Sequence, residues 1–286
     1  MLRRAGTALL ELLLALALAG AVLSIATSSL LRQQRVHARI RGQAGSDRQL
    51  HAATMVLAGQ LADLDVAAGD IASGSASDTA LQFRATVGTS FACETSTGSV
   101  ALLPEQGAGG SYAGTLSLTR PGDTLWWLGD STWTAARVRS IDAVNVTCTN
   151  PLAFSGASVR LILTGSSDSI PAGAPLRVTR QTRYGLYRSA DGSWQLGLRE
   201  WSEAAGAFAS PQPVAGPLLL AAGDRRSGYR YFDVTGREIT LTAGVADATR
   251  IARIRITMRS VDLAHERGSD SVRTDSVDVG LRRGGT

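Results

Sequence analysis

Lysine is missing from all 286 residues, so the 29 basic side chains are arginines, set against 24 acids. The resulting formal charge of +5 is small and scattered, which leaves no basic footprint for a nucleic acid. With abundant glycine and alanine beside it, the all-arginine usage reads as the mark of a GC-rich genome rather than of a binding function. Histidine and cysteine are scarce, at three and two. His37, His51 and His265 are far apart, and neither HExxH nor CxxC occurs, so no metal-ligand spacing exists. A GxSxG elbow, a P-loop, a paired-carboxylate spacing and a histidine-centred constellation are all absent. These absences argue against an enzyme and against any metal or cofactor. Proline is absent as far as Pro104, so nothing upstream of it forbids a long helix.

What the chain does have is one long apolar run. Residues 7–31 are apolar or small except for Glu11. As a helix at about 1.5 Å per residue the run would measure roughly 37 Å, enough to cross a hydrocarbon core of about 30 Å. An ionisable group inside such a segment costs on the order of 3 kcal/mol at the centre of a membrane, so Glu11 asks for a partner. Just upstream, the basic piece MLRRAG ends in Gly6. A cut after that glycine would make Thr7 the first residue, with a new α-amino group, and Glu11 the fifth.

This arrangement resembles the class III signal of type IV pilins and type II secretion pseudopilins. The resemblance implies that a prepilin peptidase cuts between Gly6 and Thr7 and methylates the Thr7 amine. It also implies that the Glu11 carboxylate faces the N-terminal amine of a neighbouring subunit. The electrostatics fit, because a buried carboxylate is costly alone and a charged amine offsets much of that cost. Three other readings compete. A secretory signal peptide would also show Arg3, Arg4, an apolar core and small residues near Ala17 and Ala19, but Glu11 would sit inside that core and the hydrophobicity runs on past Ala19. A plain signal anchor would carry Glu11 by accident. A twin-arginine signal would need different surroundings after Arg4. Arginine placement opposes the orientation that the resemblance implies: Arg3 and Arg4 precede the run, while Arg32, Arg35, Arg39 and Arg41 follow it. Positive-inside alone would put the N-terminus outside, whereas the cytoplasmic action of the peptidase puts it inside.

From 32 to 66, Val36, Ile40, Leu50, Leu57, Leu61 and Leu64 recur at helical steps between Arg, Gln and Asp, which predicts an amphipathic continuation. Gly42, Gly45 and Ser46 predict a bend or local melting between them. Residues 7–66 would then form one rod of roughly 90 Å. Such a rod resembles the pilin stalk, with its first part in the membrane or filament core and its second part packed on a head. Gly20, Ser24 and Ser28, four residues apart, offer a small-residue face for close helix packing, or simply reflect composition.

After residue 67 the chain reads as short alternating or β-branched runs broken by Gly, Pro and Asp. Strands are expected at 80–87, 114–119, 124–128, 132–139, 144–149, 159–164, 176–188, 194–201, 229–234, 238–242, 251–259 and 272–281. Hairpin turns are expected at Asp191-Gly192 and Thr235-Gly236, with Asp191 and Asp233 as turn residues. The expected fold class is therefore α+β, a long N-terminal helix packed on a mainly antiparallel β head. The expected segments are a leader at 1–6, a transmembrane part at 7–31, an amphipathic part at 32–66 and a β-rich head at 67–286. Cys93 and Cys148 fall on the exported side that this scheme implies. In an oxidising compartment they read as one disulfide worth roughly 4 kcal/mol, with two buried free thiols as the other reading.

The stretch RYGLYRSADGSWQLGLREW, followed by GYRYFDVTGREI and an Arg/Ile strand, looks like the C-terminal part of PilW-type minor pilins and their GspJ-type relatives. Among the tryptophans 126, 127, 133, 194 and 201, alternation favours core packing over a sugar-stacking face. Trp126 and Trp127 must point to opposite faces of a strand. Arg250, Arg253, Arg255 and Arg259 read as a solvated charged face beside Asp247, Asp262 and Glu266 rather than a DNA stripe. The resemblance implies a minor type IV pilin of the PilW type that primes or caps a pilus. Its partners would be the major pilin, other minor pilins, the prepilin peptidase and an inner-membrane assembly platform, with no nucleic acid. It would sit first in the inner membrane as a single-pass protein with a periplasmic head, and later in the pilus. A minor pseudopilin of a type II secretion system is the alternative, and a membrane-anchored binding protein or adhesin is the alternative of another class.

Overall fold

Beyond residue 80 β-branched and aromatic residues alternate with polar ones, and glycines at positive φ mark the reversals, among them Gly98, Gly122 and Gly192. The computed structural model describes residues 48–72, 74–103, 106–107, 110–111, 114–115, 119–129, 132–149, 153–165, 170–220, 227–240, 248–261 and 272–283. It also describes single positions between 20 and 34. The chain divides into two units, Met1–Gln49 with Val261–Arg273, and Leu50–Ser260 with Thr274–Thr286. In the first, Gly20, Leu23, Ser24, Thr27, Leu30, Gln33 and Gln34 are each helical and exposed.

A helix, α1, is described over 48–62, all but its first two residues in the second unit. The strands follow in order: β1 (Ala80–Ser96), β2 (Ser99–Leu102), β3 (Gln106–Gly107), β4 (Gly110–Ser111), β5 (Gly114–Thr115), β6 (Thr124–Leu128), β7 (Trp133–Cys148) and β8 (Phe154–Thr164). After them come β9 (Pro175–Arg188), β10 (Trp194–Ser202), β11 (Ala207–Phe208), β12 (Gln212–Leu218), β13 (Gly228–Phe232), β14 (Glu238–Ile239), β15 (Arg253–Val261) and β16 (Val272–Gly280).

The large sheet runs β11-β10-β9-β6-β7-β8-β2-β1-β5, and β1 returns to pair with β9. That pairing closes β1, β9, β6, β7, β8 and β2 into an antiparallel barrel. β1 is long enough to serve two neighbours, pairing with β9 from Ala80 to Phe91 and with β2 from Ala92 onward. Side chains at barrel-facing positions fill the interior: Leu125, Trp127, Val138, Leu161, Leu176 and Val178, with Trp127 only 2% exposed. A smaller cluster holds Cys93 and Cys148, which form a disulfide with a Cα–Cα distance of 5.0 Å.

β1 and β9 continue beyond the barrel, and there the same face of the sheet carries α1. Leu50, Ala53, Leu57, Leu61 and Leu64, spaced by three or four residues, pack into one cluster with Leu81, Phe83, Tyr184 and Leu196. The other side of that cluster comes from a second sheet, β14-β13-β15-β16, through Tyr231, Ile254, Ile256 and Met258.

The expected fold class is corrected here. Among the described residues the architecture is mainly antiparallel β, with α1 and the separate helical positions between 20 and 34 as its helical part, and no helix is long and apolar enough to cross a membrane. Among the described residues no membrane-capable helix supports the rod over 7–66, so the transmembrane element and the single-pass inner-membrane placement derived from it lose their support; most of 7–47 lies outside the described residues. The early end of α1 has a local cause. The Leu64 carbonyl accepts from the Arg282 N–H at 3.0 Å and the Val66 N–H donates to the Arg282 carbonyl at 3.1 Å, so a C-terminal segment takes groups the helix would have used. Asp65 then folds the chain into a turn, its Oδ1 accepting from the N–H of Ala67 at 2.9 Å and of Ala68 at 3.2 Å. The strands expected at 132–139 and 144–149 are one continuous strand, β7, because β8 pairs along nearly its whole length.

Leu57→Ala or Leu61→Ala should each lower stability by about 2–5 kcal/mol, whereas Met55→Ala on the exposed face should change it by less than about 0.5 kcal/mol. Urea unfolding followed by circular dichroism measures all three. Burial pushes Tyr184 up to about 12 and raises Tyr229 and Tyr231 well above the ordinary tyrosine value. Above about pH 10 the unfolded chain releases phenolic protons that the folded chain retains, so stability is complete below that pH and falls as pH rises through these folded-state values. Ultraviolet titration should find these three phenols ionising only beyond the ordinary range, together with loss of structure.

Candidate functional site

Paired residues in a ladder share a face, so the registers sort the β1–β9–β6 region into two. Phe83↔Thr182, Ala85↔Arg180, Leu125↔Val178 and Trp127↔Leu176 lie on the face that lines the barrel and carries α1. Arg84↔Gln181, Thr86↔Thr179, Thr89↔Arg177 and Trp126↔Arg177 lie on the opposite, outer face. A register slip at Val87 lets both arrangements hold along one strand. Trp126 and Trp127 therefore divide as strand geometry requires, one outward and one into the barrel.

On the outer face the chain leaving α1 folds over β1. The Arg84 N–H donates to the Asp70 carbonyl at 2.9 Å and the Gln82 N–H to the Ser75 carbonyl at 2.9 Å. This brings the Asp70 carboxylate, 1% exposed, against Arg177 at 2.8 Å and Arg84 at 3.9 Å. The same carboxylate accepts from the Asp65 N–H at 2.9 Å. Arg177 also donates to Thr86 Oγ1 at 3.0 Å and 3.1 Å. The Arg84 guanidinium lies 4.6 Å from the centre of the Trp126 ring, whose Nε1 donates to Thr179 Oγ1 at 3.0 Å. Burial lowers the Arg84 pKa; Asp70 opposes that shift and Arg177 adds to it. Beside this network opens a cleft of ≈ 300 Å³, lined by Asp63, Asp65, Thr86, Trp126, Trp133 and Arg177, with Arg282 at its rim.

The inner face holds a second network. Arg180 and Asp123, with side chains 5% and 3% exposed, meet in a fork at 2.8 Å and 2.9 Å. Arg180 also donates to Glu200 at 3.2 Å, and Glu200 accepts from Arg120 at 2.9 Å. The Asp123 hydrogen bonds raise the Arg180 pKa, outweighing its burial. Between this face and α1 runs a groove of ≈ 450 Å³ bounded by Met55, Gln60, Arg180, Thr182 and Leu198.

Neither network is built for proton transfer, because Asp70 and Asp123 are each tied to guanidinium groups that never give up a proton near neutral pH. Both hold charged side chains in fixed pairs. No group of metal-ligating side chains occurs among the described residues.

Of the residues singled out from the sequence, Gly6, Thr7, Glu11 and Ser28 lie outside the described residues. Gly20 and Ser24 are helical and exposed, and a Cβ on Gly20 would meet nothing within 4 Å. Asp191 and Asp233 are turn residues. Ser189 and Ser193 donate to Asp191 and lower its pKa to about 2, and Thr235 does the same for Asp233, lowering its pKa. The arginine stripe is largely paired: Arg255 forks onto Asp278 at 2.7 Å and 2.8 Å, Arg253 approaches it at 3.6 Å, and both lie over the Phe232 ring.

The buried Asp70, Asp123 and Arg180 and the half-buried Arg84 and Arg177 were not singled out from the sequence. Asp70 and Arg177 stand 107 residues apart, and they meet through the fold of the segment after α1 over β1 together with the β1–β9 register. The available signal was Arg177 and Arg180 inside a run otherwise suited to a central strand. Comparison with protein families, with characterised proteins and with solved structures gave no match.

Asp123→Ala strands Arg180 without its main partner and should cost about 3–5 kcal/mol, whereas Asp123→Ala combined with Arg180→Met should cost clearly less. Denaturant midpoints of the two variants, compared with the parent chain, test this.

Proposed function

We propose that the chain is a minor type IV pilin of the PilW type, a structural subunit that primes or caps a filament. The observation that supports this reading is the N-terminal pattern: Gly6 closing a short basic leader, Thr7 after it, and one carboxylate, Glu11, at the fifth place of the processed chain inside an otherwise apolar run. In a packed bundle of subunits that carboxylate needs a positive partner, and the freed Thr7 amine of a neighbour is the matching group. The head adds a second kind of support. Its buried charges are spent on one another, as in Asp123 with Arg180, which suits a part that must be rigid rather than reactive. Prepilin peptidase, an assembly platform, the major pilin and other minor pilins are the partners this reading requires. It concerns processing and subunit pairing and includes no membrane-spanning rod.

Mass spectrometry of the native protein should find Thr7 as its first residue, with a methylated amine. Gly6→Ala should leave residues 1–6 attached. Glu11→Ala should be processed normally, yet its recovery in sheared filaments should fall by at least about tenfold, since an unpaired buried charge costs about 3–5 kcal/mol. A native N-terminus at Met1 or beyond Ala19, or normal assembly of both variants, overturns the reading.

A further inference from the structure

We propose that the outer-face cleft binds a neutral pyranose unit of a saccharide. The inference stands apart from the filament reading, since it uses only the head. Its walls come first. Trp126 pairs with Ala135 and Leu128 with Trp133, so the two outward indoles are diagonal neighbours across β6 and β7. Trp126 is fixed by its bond to Thr179 and by the Arg84 guanidinium over its ring. Trp133 remains 47% exposed at the cleft. An exposed indole costs apolar contact with water, and the C–H face of a pyranose is a surface of matching shape and polarity.

The polar groups then select among ligands. Thr86 and Thr89 bring hydroxyls, Asp63 and Asp65 bring carboxylates, and Arg282 lies 3.1 Å from Asp63, so an acceptor and a donor stand side by side. A sugar hydroxyl is both donor and acceptor, and neighbouring hydroxyls match such a pair. A flat aromatic ligand would use the indoles but supply no donors to these carboxylates. An anion would have to displace Asp70 from Arg177, a 2.8 Å contact made by a carboxylate that is almost fully buried. Of the charges lining the cleft, Asp70 meets Arg177 and Asp63 meets Arg282, and the third acid, Asp65, leaves an excess of one negative charge that disfavours an anion.

The cleft is also organised before any ligand arrives. Asp65 is held in its turn, Asp70 holds the Asp65 N–H, and the backbone of Arg282 is bonded to Leu64 and Val66. Ordering of the loop is therefore not charged against binding. At ≈ 300 Å³ the cleft lies at the small end of the range of small-molecule sites, about 300–1,000 Å³.

Isothermal titration of the full chain with maltose, cellobiose and N,N′-diacetylchitobiose, with tryptophan emission followed in parallel, tests the proposal. At least one disaccharide should bind at millimolar concentration or below and shift the emission. Trp133→Ala should weaken that binding by about tenfold or more. Trp201→Ala, which removes an indole packed edge-to-face against Phe208 outside the cleft, should leave it unchanged. The proposal is overturned if none of the three binds, if Trp133→Ala binds as the parent does, or if benzoate or glucuronate binds where the neutral sugars do not. None of these results bears on where the N-terminus is cut, so the two readings fail separately.

Discussion

Everything in the head depends on β9 keeping two neighbours. Its first half pairs with β6 on one edge and with β1 on the other, and this closes the barrel. Its second half keeps β1 but exchanges β6 for β10, and the sheet opens there to receive α1. One strand thus passes from a closed interior to a helix-covered face without turning over. The residues on that face change accordingly, from Leu176 and Val178 inside the barrel to Thr182 and Tyr184 under the helix. Arg180 sits at the transition. A backbone that opens a barrel leaves a mouth that neither apolar core reaches, and the Asp123–Arg180 fork fills it with groups that satisfy each other.

The same constraint explains the outer face. Because even-numbered positions of β9 are committed inward, Arg177 and Thr179 must point out, beside Thr86 and Trp126. A bare arginine on a central strand would be solvated, but the chain leaving α1 crosses here and brings Asp70, removing the group from water and pairing it at once. Asp70 in turn is placed by the backbone bonds that run from it to Arg84 and from Ser75 to Gln82. The charged cluster is therefore a consequence of how the helix ends and of how the strand register falls.

These dependencies show what the sequence could and could not reveal. Strand positions were legible where alternation was clean and turns were marked: β6 has the bounds expected for it, and β9, β10 and β16 differ by a residue or so. The turn roles of Asp191 and Asp233 were legible because an Asx turn is a local event. The extent of α1 was not, since Leu64 continues the apolar period that Leu57 and Leu61 establish. What stops the helix is Arg282, a residue more than two hundred positions away that takes over the backbone at Leu64 and Val66. The joining of the runs at 132–139 and 144–149 into β7 was hidden for a related reason. The polar interruption between them is tolerated because β8 pairs straight across it, from Arg137 to Cys148. The outer-face cleft was least legible of all, because Asp63, Thr86, Trp133, Arg177 and Arg282 have no spacing in common until the barrel closes.

That last point bears on how rigidity and recognition coexist in this head. In many binding sites, polar groups must be held unpaired until a ligand comes, and the scaffold bears the cost. Here most of the pairing is internal: carboxylates and guanidinium groups meet one another, and the unspent surface is the exposed Trp133 indole with the part of Trp126 that Arg84 does not cover. Such a site favours ligands that bring an apolar face with hydroxyls at its edge, and disfavours those that bring a negative charge. It also ties recognition to folding, because the Asp70–Arg177 contact that occupies the cleft's arginine is made by the same segment that ends α1 and covers β1. Loosening that segment would open the edge of β1 and expose two arginines together, so the stability of the head and the selectivity of its cleft rest on one set of hydrogen bonds.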